Sequence, residues 1–165
     1  MSAQTTYRYN TVPGAAGGIV DIAPYAIDTF LNEENNGVLK FGMAAVQGTK
    51  AGTEIKKPVA ASTAAKFEGI VTNNRTTEYD LDGNLSIRKG ASVGVMRYGR
   101  IYARIAPNVT PAYGDALYFV KSGDNAGCFT NTSGETAVAV KCRFLSTVDS
   151  TAQVAQVELF DQAQA

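Results

Sequence analysis

Hydrophobic and polar positions alternate along most of this chain, most clearly from Ser92 to Ile105, SVGVMRYGRIYARI. Its odd positions include Val93, Val95, Ile101, Ala103 and Ile105, and its even positions include Met96, Tyr98, Arg100, Tyr102 and Arg104. A period of two sends successive side chains to opposite faces of a strand. The pattern therefore predicts one core-facing side and one side rich in aromatic rings and guanidinium groups, residue types that protein interfaces favour.

From Gly37 onward the same reasoning predicts a series of short strands and turns. Strands are expected at Val38–Val46, Ile55–Ala60, Phe67–Thr72, Leu85–Arg88, Ser92–Ile105 and Ala116–Val120. Further strands are expected at Gly127–Asn131, Ala137–Val148 and Gln153–Phe160. Pro58 marks the second as an edge strand, and Asp82-Gly83-Asn84 reads as a turn. Val138, Val140, Cys142 and Phe144 share one face of a late strand; Ala155, Val157 and Leu159 share one face of the last. Only Pro24–Asn35 and Ala60–Lys66 carry any 3.6-residue period. Many short strands at this spacing predict an all-β domain, a small β-barrel or a sandwich.

Residues 1–36 read differently. They hold Pro13, Pro24, a Gly/Ala cluster at Gly14–Gly18 and scattered apolar side chains, with no sustained strand period. The segment is too apolar for plain disorder. It is expected to be an extended N-terminal arm that buries its apolar residues against something else, or against its own domain. The organisation is thus an arm, 1–36, and a β domain, 37–165.

Composition narrows the chemistry. The chain has 165 residues, fifteen basic and fifteen acidic side chains, no histidine and no tryptophan. Zero net charge argues against a nucleic-acid binder that works with its whole surface. Without histidine, the commonest general base and the commonest zinc ligand are both missing. Cys128 and Cys142 form no CxxC pair and read as small buried hydrophobes. Gly14–Gly18 lacks the Lys-Ser/Thr of a phosphate loop, and Asp80–Asn84 lacks the later glutamate of a calcium loop. No catalytic, cofactor-binding or metal-ligating residue is therefore assigned. No apolar run reaches membrane-spanning length and no basic, apolar leader opens the chain. Synthesis in a cytoplasm is expected, without a membrane partner.

Charge is unevenly spread. Residues 97–104 hold three arginines and no acid, whereas Asp21, Asp28, Glu33 and Glu34 dominate the arm, and Asp149, Glu158 and Asp161 the tail. This complementarity suggests that arm or tail of one copy meets the arginine face of another. The candidate interface residues are Tyr7, Tyr9, Tyr25 and Phe30 of the arm with Met96, Tyr98, Arg100, Tyr102 and Arg104 of the stripe.

The runs Gly37–Gly48, Gly69–Val71, Gly90–Met96, Gly99–Ala103 and Gly114–Tyr118, in that order, resemble the structural cement, or head decoration, proteins of tailed bacteriophages. The opening Tyr-Arg-Tyr-Asn followed by a Pro- and Gly-rich stretch is similar too. The resemblance implies a small β-barrel or β-tulip domain on the exterior of the virion capsid. It implies a non-enzymatic partner of the major capsid protein, a homotrimer or a dimer, with no cofactor. Two other readings of the Arg/Tyr face are an OB-like single-stranded nucleic-acid module and a cell-surface or carbohydrate-binding domain.

Overall fold

A computed structural model describes residues 14–73, 78–79 and 85–161. In them lie eleven strands and one 3-10 turn, Ala64–Lys66. The strands are β1 (Ala26–Asn32), β2 (Ala44–Gln47), β3 (Glu54–Lys56), β4 (Phe67–Val71), β5 (Glu78–Tyr79) and β6 (Leu85–Ser86). They continue with β7 (Ser92–Arg104), β8 (Ala116–Val120), β9 (Phe129–Thr130), β10 (Ala137–Phe144) and β11 (Val154–Leu159). The all-β expectation holds among the described residues. Of the two windows with a helical period, Ala60–Lys66 yields only the short 3-10 turn. Pro24–Asn35 holds β1 instead.

Five strands close into a ring in the order β1-β3-β2-β4-β7, with β7 returning to β1. Each contributes to one apolar interior: Phe30 from β1, Ala45 from β2, Ile55 from β3, Val71 from β4, and Val93 and Val95 from β7. Leu39, Phe41 and Ile87 fill the remainder. β1 lies within the segment read as an arm, and its pairings with β3 and β7 are what shut the barrel.

Beyond the barrel, β7 continues into a second sheet, β7-β11-β10-β8-β9. A parallel bridge between Ile105 and Phe129 brings β9 back beside the end of β7. The larger core sits between this sheet and the outer wall of the barrel. Ala44, Val46, Phe67, Ile70 and Met96 meet Ile101, Ala103 and Ile105, and from the far strands Leu117, Phe119, Phe129, Phe144, Val157 and Leu159. Phe67 stacks on Phe119 across this junction with ring centroids 5.6 Å apart, the offset range that aromatic pairs favour. Cys142 belongs to the same core, and burial pushes its thiol well above the ordinary cysteine range. Cys128 is half-buried, and burial raises its thiol too.

Irregularities in the strands explain how two cores share their walls. On β7, Ala26 of β1 opposes Tyr98 while Ile27 opposes Met96, so Arg97 is an extra, bulged residue. A bulge reverses the alternation beyond it. Val93 and Val95 therefore face the barrel interior, whereas Met96, Ile101, Ala103 and Ile105 share the opposite face in the junction core. The single core-facing side expected for the odd positions is thus two faces. β4 does the same at Glu68: Val46 opposes Phe67 while Ala45 opposes Gly69, which puts Phe67 and Ile70 on one face. Gly69 has a positive φ of 143°. A Cβ there would run into the carbonyl oxygen of Met96, so only glycine lets the two bulged strands approach.

Candidate protein interface

The far edge of β7 is covered by its own chain. Residues 17–20 run antiparallel beside it: Gly17 N–H donates to the Tyr102 carbonyl at 2.7 Å, Tyr102 N–H to Gly18 at 2.9 Å, and Val20 N–H to Arg100 at 3.1 Å. Ile19 and Ile101 are bridged, and Asn73 N–H donates to the Gly17 carbonyl at 2.7 Å. Gly14 lies on the Tyr102 ring so closely that a Cβ would overlap it.

Side chains extend the attachment. Arg100 Nη1 donates to Asp21 Oδ2 at 2.8 Å, and Arg100 Nε to Glu158 Oε1 at 3.1 Å. Arg143 Nε donates to Glu158 Oε2 at 2.7 Å. Arg100 faces Glu158 across β7–β11, and Glu158 faces Arg143 across β11–β10. The result is a charge row, Asp21–Arg100–Glu158–Arg143, whose register the sheet sets. The hydrogen bond from Arg100, helped by that of the Ala23 amide, holds the Asp21 carboxyl below the usual aspartate range. For Glu158, burial pushes the carboxyl up, but Arg143 and Arg100 together outweigh it and leave it below the usual glutamate range. Tyr113 and Phe160 flank Arg143, with the guanidinium 5.7 and 5.5 Å from their ring centroids. Nearer the barrel, Arg97 pairs with Asp28 at 3.1 Å.

The complementarity of arginines and arm acids is therefore met within one chain for Arg97 and Arg100. The stripe expected on one face is dispersed. Met96 is fully buried in the junction core, because the bulge at Arg97 brings Ile101, Ala103 and Ile105 onto the face that Met96 already occupies. Tyr102 is only 9% exposed, under Gly14, and its hydroxyl accepts from Gln156 Nε2 at 3.3 Å. Arg104 is half-buried and its Nε donates to the Phe41 carbonyl at 2.8 Å. Phe30 is part of the barrel interior. Tyr7 and Tyr9 lie outside the described residues, as does the turn at Asp80–Asn84. With Tyr102 covered and Arg97 and Arg100 paired to carboxylates, β7 does not offer the row of free rings and cations that stacking on bases requires.

What remains at the surface is apolar and clustered by the chain path. Tyr98 is 42% and Tyr25 51% exposed. They lie at the end of β1, where Tyr25 sits against Gly99, close enough that a Cβ there would come within 2.6 Å of the Tyr25 Cβ. Ile19 is half-exposed and Ile22 fully exposed on the turn that Asp21 organises, its Oδ1 accepting from Ala23 N–H at 3.0 Å. Ile19 and Ile22 are exposed apolar groups that the sequence pattern did not single out; their signal was a pair of large aliphatics flanking an aspartate just before Pro24. Tyr113 and Phe160, both exposed, were not singled out either. Large aliphatic and aromatic groups in water are the kind of surface that marks association.

Among the described residues, no group of three or more His, Cys, Asp or Glu side chains converges. No helix among them is long and apolar enough to cross a membrane. A family model described as structural cement protein (E217 gp24/Pam3 gp6) matches residues 3–160. Among solved structures, a chain of the capsid of Myoviridae phage XM1 is similar. It shares 21% identity and a TM-score of 0.71, with 96% of this chain and 98% of that one covered. No curated protein matches the chain by sequence.

Proposed function

This chain belongs to the phage structural cement protein family, non-enzymatic components of the virion capsid, and on that premise we propose how it binds. The protein sits on the capsid exterior and places Ile19, Ile22, Tyr25 and Tyr98, with Arg100 at their edge, against the major capsid protein. The observation that carries this reading is the fully exposed Ile22 on a turn fixed by the Asp21–Arg100 ion pair. An apolar side chain held rigidly in water loses little further freedom when a partner covers it, so more of the burial energy goes into affinity. We further propose that the protein is a homotrimer. Binding only the assembled lattice would stabilise that lattice by mass action, and contacts to two capsid subunits would add avidity.

The test is co-sedimentation with purified heads, followed by heating with and without the protein. Binding accompanied by a raised disruption temperature supports the reading; absence of binding to heads in any maturation state removes it. Light scattering of the free protein tests the trimer separately.

A further inference from the structure

Arg104 differs from the other arginines of its strand. Arg97 and Arg100 each face a carboxylate of the same chain. Arg104 has, among the described residues, only the Phe41 carbonyl, bound through Nε. It lines a cleft of about 170 Å³ together with Lys40, Ala15, Ala16, Phe41, Asn73 and Ile87. The described lining contains no carboxylate. Two positive charges, Lys40 and Arg104, thus share one partly enclosed space with no acid in its described lining.

Such an arrangement is self-repulsive, and the repulsion is relieved when an anion enters. A guanidinium whose Nε is already engaged keeps its outer N–H groups aligned for a carboxylate. The volume suits the end of an acidic side chain, being room for a few waters and too small for a nucleotide.

We propose that the Lys40–Arg104 cleft is the receptor for one carboxylate side chain, an Asp or Glu of the capsid shell to which this protein binds. The proposal rests on the reading above that the protein binds heads. It adds a second point of attachment, polar and chemically distinct from the apolar surface around Ile22.

The test uses the full chain on purified heads. A zero-length carbodiimide reagent joins an ammonium to a carboxylate in direct contact, and mass spectrometry identifies the joined peptides. Lys40 linked to an Asp or Glu of the capsid protein is the expected result. Lys40 linked to another copy of this chain, or not linked at all, overturns the proposal. In parallel, Lys40→Glu, at an exposed position, should weaken head binding at low salt by about tenfold or more and leave thermal unfolding unchanged. The deficit should shrink in high salt, where wild-type binding also loses this contribution. Wild-type binding that Lys40→Glu does not alter sinks this inference alone; wild-type protein that fails to bind heads removes the underlying reading and this one with it.

Discussion

Asp21 and Arg100 are joined by a 2.8 Å ion pair that ties the segment before β1 to the middle of the longest strand. Both groups are partly exposed, so the pair serves to place the chain more than to hold the fold together. Asp21 is held below its ordinary value of 3.8, chiefly by the hydrogen bond from Arg100. A depressed carboxylate contributes stability that is complete above its ordinary value and lost as pH falls through the native one. The attachment is therefore expected to be intact at neutral pH and to loosen only in acid, below the ordinary aspartate range. The protection of the Val20 and Tyr102 amides relative to their intrinsic exchange should fall there, and Asp21→Asn should show the lower protection already at neutral pH. Equal exchange in variant and wild type would show that backbone pairing alone holds the segment.

Gly69 is expected to tolerate no side chain. Gly69→Ala adds a Cβ against the Met96 carbonyl at a positive φ of 143°. Backbone strain alone should cost about 1–3 kcal/mol, with displacement of β7 added to it. Denaturant unfolding measures the loss. Gly52→Ala is the comparison, because its φ is also positive but nothing lies near its Cβ.

The junction core should dominate global stability. Phe119 is fully buried and stacked on Phe67, so Phe119→Ala is expected to destabilise by about 3–5 kcal/mol. Met96→Ala, also in this core, should cost about 2–5 kcal/mol even though Met96 neighbours the exposed Tyr98 in sequence. Calorimetry or urea titration distinguishes these from a surface effect, which would be within about 0.5 kcal/mol.

Surface variants should separate binding from folding. Ile22→Asp and Tyr98→Ala remove exposed apolar groups and should leave the unfolding midpoint nearly unchanged. If these groups meet the capsid, each should lower head affinity by about tenfold or more, the range of an interface anchor. Full head binding by both variants would place the contact surface elsewhere.

Strands with clean alternation or firm turn boundaries were legible in the sequence. Ala116–Val120 is predicted and found with the same bounds, and Phe67–Thr72 and Ser92–Ile105 each end one residue earlier, at Val71 and Arg104. β1 was obscured because Ile27, Phe30 and Leu31 stand at helix-like spacing. Ile27 packs at the junction core while Phe30 enters the barrel, because residues three apart on a strand face opposite sides. The bulge on β7 did leave a mark. Arg97 falls on the apolar side of the alternation and Met96 on the polar side, an exchange that signals one extra residue. Taken as a continuous strand, the pattern put Met96 in the interface. The burial of Tyr102 was not legible, since it depends on Gly14, 88 positions away in the chain, lying flat on its ring.

The thirteen residues of β7 run through both the closed barrel and the second sheet. One core packs residues of both halves together, so the two should melt as a single cooperative unit. For a component of a virion capsid, this is a mechanical property. Strain arriving at one lobe is carried along a common stave into the other, and no seam lies between them along which the clamp could split.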